Sequence, residues 1–287
     1  MTKHRKYKRF LQQVLLYLAV LVIIIWTVAP YLWLIISSFS YRIDLLQVPL
    51  RWIPPRITLD NYHELFFSQG GTNVNADLFL RTLTNSTIIA FSATFTCLML
   101  GVLSAYALAR LKFPGSSVYV AMMMGAQLLP PIAIVIPIYV ILRYFNLLDT
   151  RLGLMLVYLS FILPLVVWLM RSYFAAIPSE LEDAARIDGC TRLGALFRVV
   201  LPLAGPGLVS VAVFAFIAAW NEYLYAFILT TAAAKTLPVL IGEFSTKLGL
   251  EYLRIAAAGV LASLPPVILA LLFQRFIIRG LTAGAVK

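Results

Sequence analysis

The stretch LQQVLLYLAVLVIIIWTVAPYLWLIISSFS, Leu11–Ser40, runs for 30 residues without one charged side chain. A bilayer core about 30 Å thick needs roughly 20 apolar helical residues at a rise of about 1.5 Å each. The run is therefore long enough to cross, and too long for the apolar region of a secretory leader. Tyr31 and Trp33 follow where a leader would carry small residues at a cleavage site, so the segment reads as a retained span. Five more such runs come after it, at about Thr84–Ala109, Val118–Leu142, Leu152–Met170, Gly207–Thr231 and Ile255–Phe273. Arginines or lysines close most of them, among them Arg81, Arg110, Lys112, Arg143, Arg171 and Arg275. The expectation is an all-α polytopic membrane protein with six transmembrane helices.

Composition points the same way. Of 287 residues, 62% are hydrophobic and 12% charged, and the mean hydropathy is +0.92. Soluble domains run at roughly 45–50% apolar and about 25% charged, which excludes a water-soluble globule, and low hydrophobicity is the mark of disorder, which excludes that too. The net charge of +11 is first a topology signal. Lys3, Arg5, Lys6, Lys8 and Arg9 precede the first span with no acid among them, and six spans put both termini on one side. With that side inside, fourteen Lys and Arg fall inside and nine outside, six of the nine diluted over the long loops 41–80 and 232–254. The excess of positive charge on cytoplasmic loops then places both termini in the cytoplasm of a bacterial or archaeal (inner) membrane. No nucleic-acid partner is needed to explain the charge. Two Cys (Cys97, Cys190) and two His are too few for a disulfide framework or a metal cluster, and no catalytic or metal site is expected.

The organisation follows: a basic N-terminus (1–10), a six-span membrane domain (11–275) and a C-terminal tail (276–287). Within the domain, the 41–80 loop holds Pro49, Pro54, Pro55, Gly70 and Gly71 and is too short for a core of its own. The 171–206 loop, between the fourth and fifth spans, is different. It uses about 35 residues where a handful would connect two spans, and they are patterned. Pro178-Ser179 reads as stop and start; Ser179 with Glu182 makes a capping box; Glu180, Glu182 and Asp183 suit the positive end of a helix dipole; Gly189 sits at a left-handed C-cap. The pattern predicts a helix over Glu180–Asp188 with Leu181, Ala184 and Ala185 on one face. Thr191 would cap a second helix striped by Leu193, Leu196, Phe197 and Val200 and ended at Pro202. A helix this short is marginal alone, so it docks either on the rest of this chain or in a groove of another subunit.

Asp183-Ala184-Ala185, three residues, Gly189, nine residues, then Val199-Val200-Leu201-Pro202 resembles the EAA loop of ABC-importer membrane subunits. Asp183 stands for the usual Glu and Val199 for Ile. Thr58–Tyr62, Ala105–Arg110 before Phe113-Pro114-Gly115, Trp220–Leu224 and the tail Arg279–Lys287 are similar to carbohydrate-importer permeases resembling the smaller membrane subunit of the maltose transporter. The resemblance spans nearly the whole chain. It implies a coupling helix that contacts an ATPase through Glu182, Asp183, Ala184, Ala185, Arg186, Asp188 and Gly189, with Leu281–Lys287 as a second contact. It implies as partners a second permease subunit, two ATPase subunits, an extracytoplasmic solute-binding protein, membrane lipid and a carbohydrate substrate. The chain has no Gly-x-x-x-x-Gly-Lys-Ser/Thr phosphate cradle, so ATP and Mg are expected in the partner ATPases and no cofactor on this chain.

Glu222 is the one acid inside an apolar run. A charge near the bilayer centre costs at least ~2.5 kcal/mol, so it should face protein or water. With Asn221, Tyr223 and Tyr225 it forms a candidate translocation pathway for sugar hydroxyls and ring faces; a structural hydrogen-bond node and proton coupling are the other readings, with Asn85 or Gln127 as partner. Hydroxyls of the second span (Thr84, Ser86, Thr87, Ser92, Thr94, Thr96) should bond the preceding turn or neighbouring helices, and Gly101 with Ala105 is a close-packing signal. Pro130, Pro131, Pro137, Pro164, Pro265 and Pro266 predict kinks or breaks. The alternative function is a secondary transporter or channel acting alone, which would call for internally repeated halves or an ion-coupling cluster.

Overall fold

The structure, a computed structural model, describes residues 3–45, 47, 52–67, 74–111, 113–244 and 252–283, with backbone alone at 3–9, 74–75 and 279–283. Pro49, Gly70, Gly71, Lys112 and the tail residues Gly284–Lys287 lie outside the described residues. Among the described residues every regular element is helical. The helices are α1 (Lys3–Ser38), α2 (Arg42–Leu45), α3 (Asp60–Phe66), α4 (Val74–Arg110), α5 (Ser116–Ala126), α6 (Pro131–Tyr144) and α7 (Arg151–Ala176). They continue as α8 (Ser179–Ile187), α9 (Arg192–Ala195), a π-helical turn at Leu196–Val200, α10 (Leu201–Leu203), α11 (Gly205–Trp220), α12 (Leu224–Leu229), α13 (Leu237–Phe244) and α14 (Tyr252–Ala283).

Four helical segments are long and apolar enough to cross a membrane: Phe10–Ser38, Ala76–Arg110, Arg151–Ala176 and Tyr252–Ile278. Two bent pairs raise the number to six if each is one span. The first, α5 with α6, turns through 98°. Its cause is the Pro130-Pro131 pair, which removes two consecutive N–H donors and drives the residue before each proline out of the helical region; Pro130 itself is extended at ψ 129°. The second pair, Arg192–Leu203 with α11, turns through 82° around Ala204, between Pro202 and Pro206. Pro137, Pro164, Pro265 and Pro266, by contrast, sit inside continuous helices.

The chain divides into two compact units, Met1–Asp77 with Glu243–Ala262, and Leu78–Gly242 with Ser263–Lys287. In the first, the Asn61 side-chain amide donates to the carbonyls of Ser38 (2.9 Å) and Ser40 (3.1 Å), holding α3 to the end of α1. Glu64 pairs with Arg254 at 2.8 Å.

In the second unit α4 and α7 are parallel and cross-tied at both ends. At their N-terminal ends Arg151 Nε donates to Asn85 Oδ1 (2.7 Å). At their C-terminal ends Arg110 Nη2 donates to the Ile177 carbonyl (2.8 Å). Between these ties Gly101 lets the helices meet, since a β-carbon there would overlap Val166. The hydroxyls of Thr84, Thr87 and Ser92 do bond the preceding turn and Ser86 accepts the Leu237 N–H at 2.7 Å, but the buried Thr94 hydroxyl has no partner among the described residues.

The segment after α12 is clasped to the same helix ends. Asp149, in the left-handed region at φ 55°, accepts the N–H groups of Thr231, Ala232, Ala233 and Ala234 at 2.9–3.1 Å and the Thr231 hydroxyl at 2.9 Å. The Asn85 amide donates to the carbonyls of Ala233 and Lys235. Burial alone would raise the Asp149 pKa, but the N–H donors outweigh it and hold the carboxyl at about 2, against 3.8 for a free one. The depressed value means that the clasp stabilises fully above pH 3.8 and is lost as pH falls through about 2. Asp149→Asn should therefore cost about 1 kcal/mol at neutral pH, screened because the site is only partly buried. In thermal unfolding of the detergent-extracted chain, the gap between variant and parent should close on acidification; a gap constant from pH 7 to 2 would contradict the clasp.

Candidate functional site

The loop between α7 and α11 forms the expected short helix, one residue earlier than the sequence suggests. α8 starts at Ser179 with Pro178 as N-cap, and no side chain caps it. The Ser179–Glu182 capping box does not form, because Glu182 is taken up elsewhere. Asp188 ends the helix and Gly189 takes φ +91°, the left-handed position the glycine was expected to fill.

Its faces correct the sequence reading. Leu181, Ala184 and Ala185 do not act together: Ala185 is buried, while Ala184 and Leu181 are exposed. The inward side is Glu182 and Ala185. The outward side carries Leu181, Asp183, Ala184, Ile187 and Asp188, with Ile187 86% exposed. Among the described residues Asp183 pairs with Arg186, at 3.6 Å along the helix, and both are exposed. The second expected stripe divides similarly: Leu196 and Val200 are buried, Leu193 and Phe197 exposed. Thr191 caps α9 by accepting the Gly194 N–H at 3.1 Å, but the helical path continues through the π turn past Pro202.

Glu182, expected to point toward a partner, turns inward instead. It is 8% exposed. Its Oε1 accepts the Tyr106 hydroxyl, and its Oε2 lies 3.2 Å from Arg110 Nε. Tyr106 also lies 3.2 Å from the Arg192 carbonyl, and Arg110 holds the Ile177 carbonyl. The end of α4 thus grips the loop before, within and after α8. Sequence reasoning missed Tyr106 and Arg110 as a pair. Their i, i+4 spacing at the end of an apolar run, facing a loop rich in acid, was the available signal.

The second candidate cluster is divided by its own backbone. The expected fifth span is not one helix: α11 stops at Trp220 and α12 begins at Leu224, leaving Glu222 in the break. Glu222 accepts the N–H groups of Tyr225 (2.8 Å) and Ala226 (3.1 Å), serving as a cap for α12. Neither Asn85 nor Gln127 is its partner, for Asn85 belongs to the clasp and Gln127 donates to the Phe161 carbonyl. Tyr225 is buried and stacks on Phe161 with centroids 5.7 Å apart. Tyr223 is exposed, stacks on Phe227 and covers Gly242. Asn221 is exposed. Asn221, Glu222 and Tyr223 lie in the break and Tyr225 in the first turn of α12, so the four do not share one face.

Apolar helices of membrane-crossing length, bearing a short amphipathic helix on a gripped loop, define an integral membrane protein. Residues 97–283 match the family described as "Binding-protein-dependent transport system inner membrane component". The chain is 40% identical over 261 residues to the trehalose transport system permease protein SugB of Mycobacterium tuberculosis, covering 90% of this chain and 92% of that one. It is 34% identical over 279 residues to the trehalose/maltose transport system permease protein MalG of Thermococcus litoralis, covering 96% and 98%. In fold it is similar to a bacterial ABC transporter involved in the import of the acidic polysaccharide alginate, with a TM-score of 0.76 and 23% identity over 96% of this chain and 98% of that one. The chain belongs to the binding-protein-dependent transport permeases, the membrane subunits of ABC transporters. That membership does not favour a secondary transporter or channel acting alone.

Proposed function

We propose that this chain is the permease of a sugar importer, crossing the membrane six times as α1, α4, the broken pair α5–α6, α7, α11 with α12, and α14, with both termini cytoplasmic. The parallel course of α4 and α7 fits that order, since the second and fourth spans of six run the same way. α8 then lies in the cytoplasm and seats in an ATPase subunit. The observation that carries this reading is the bare outward side of α8: Leu181 and Ile187 are exposed beside Asp183, on a helix too short to stand alone. Asp183 and Asp188 would meet basic residues of the ATPase, Arg186 would hold Asp183, Ala184 would allow close approach, and Gly189 permits the turn. Ala185 and Glu182 fix the helix from within. ATP and Mg bind in two such ATPase subunits; a second permease completes the pore, and a solute-binding protein delivers a carbohydrate, as the names of the relatives suggest.

Asn221, Glu222, Tyr223 and Tyr225 fit the translocation pathway. Non-helical backbone at membrane depth is tolerated only where protein or water covers it, and the exposed Asn221 at the 221–223 break supplies such a place. The test is reconstitution in vesicles with a second permease, an ATPase and a solute-binding protein that co-purify with it. Uptake of a sugar should require ATP and all partners. Flux through vesicles holding this chain alone would revive the stand-alone transporter.

A further inference from the structure

Nothing in the motif spacing says which membrane helix takes up the motion of α8. We propose that the Tyr106–Arg110 end of α4 is that receiver, with Glu182 the positioning residue that fastens α8 to it; this rests on α8 seating in an ATPase. Three contacts make the grip. Arg110 holds the Ile177 carbonyl just before α8 at 2.8 Å. Glu182, in the middle of α8, takes the Tyr106 hydroxyl and pairs with Arg110. Tyr106 also reaches the Arg192 carbonyl just after it.

The side chains of Arg110 and Glu182 are 12% and 10% exposed, so water does not loosen the pair as it does at a surface. The only other buried side chain of α8 is Ala185, whose single methyl offers little apolar hold. A displacement of α8 therefore pulls on α4 through a carboxylate. Because α4 is tied to α7 at Asn85–Arg151, about 32 Å further along at 1.5 Å per residue, and Asn85 also holds the carbonyls of Ala233 and Lys235, the pull reaches the clasped 231–235 segment at the far end.

The experiment compares sugar imported per ATP hydrolysed in vesicles holding the complete complex. Glu182→Gln and Tyr106→Phe should each lower that ratio by roughly tenfold or more, and the double variant should be no worse than the poorer single one, as members of one linkage behave. A grip that served folding alone would reduce the amount of complex and leave the ratio intact. Tyr106→Phe removes one oxygen and leaves the ion pair, so it keeps the test open if Glu182→Gln fails to assemble. A wild-type ratio in the Tyr106→Phe complex, or defects that multiply as independent sites, overturns the inference. Absence of ATP-dependent uptake with the parent chain overturns the importer reading, and the inference with it.

Discussion

A Gly153→Ala chain should lose most of its folded yield. Gly153 opens the first turn of α7 and donates its N–H to Thr150 Oγ1 at 3.0 Å. A β-carbon there would overlap the Leu147 carbonyl oxygen, a backbone atom that cannot rotate aside. Leu147 is itself fixed, because its N–H donates to the Leu142 carbonyl at 2.8 Å. The connection is tight: Asn146 and Asp149 both stand at φ 55°, in the left-handed region that, among non-glycine residues, Asn and Asp enter most readily. Overpacking costs about 1–3 kcal/mol where side chains can give way; here backbone must move and the Asp149 clasp moves with it, so about 3 kcal/mol or more is expected. Against a total stability of roughly 5–15 kcal/mol, that is a large share. Size-exclusion profiles of detergent extracts, with thermal midpoints, would show it. A monodisperse variant with the parental midpoint would mean that the turn is looser than described.

Asp183→Arg should have the opposite character, an intact protein that does not work. The Asp183 side chain is 65% exposed and its ion pair with Arg186 is 3.6 Å along the same helix. Such pairs are worth a few tenths of a kcal/mol, so folding and membrane insertion should be unaffected. If α8 meets an ATPase through that carboxylate, reversing its charge at a desolvated contact costs several kcal/mol of association. Uptake should fall by more than tenfold while the chain is found in the membrane at parental levels. Undiminished uptake would remove Asp183 from the coupling surface.

What the sequence made legible was set by range. Apolar length located the four helices long enough to cross a membrane, because hydropathy is a sum over neighbours. Proline chemistry located the 98° break at Pro130-Pro131, since a missing N–H acts within one turn. Gly189 was readable for the same reason. Glu182 was not: Ser179 three residues away offered a local capping partner, and Tyr106, 76 positions earlier, won. The division of the Leu193–Val200 stripe was hidden because the π turn shifts the register by one residue. The break at 221–223 has no proline to announce it; only Glu222 followed by a fresh helical turn marks it, and inside an apolar run that acid reads as a buried charge before it reads as a cap.

The Asp149 clasp also decides what its segment can offer to anything that approaches it. Amides of four successive residues, Thr231 to Ala234, are already spent on one carboxylate. The exposed surface left over consists of alanine methyl groups and a threonine. A visiting chain therefore cannot zip onto this edge as an added strand, and no anion will find a nest of free donors there. It meets a stiff, nearly featureless button, whose recognition depends on shape.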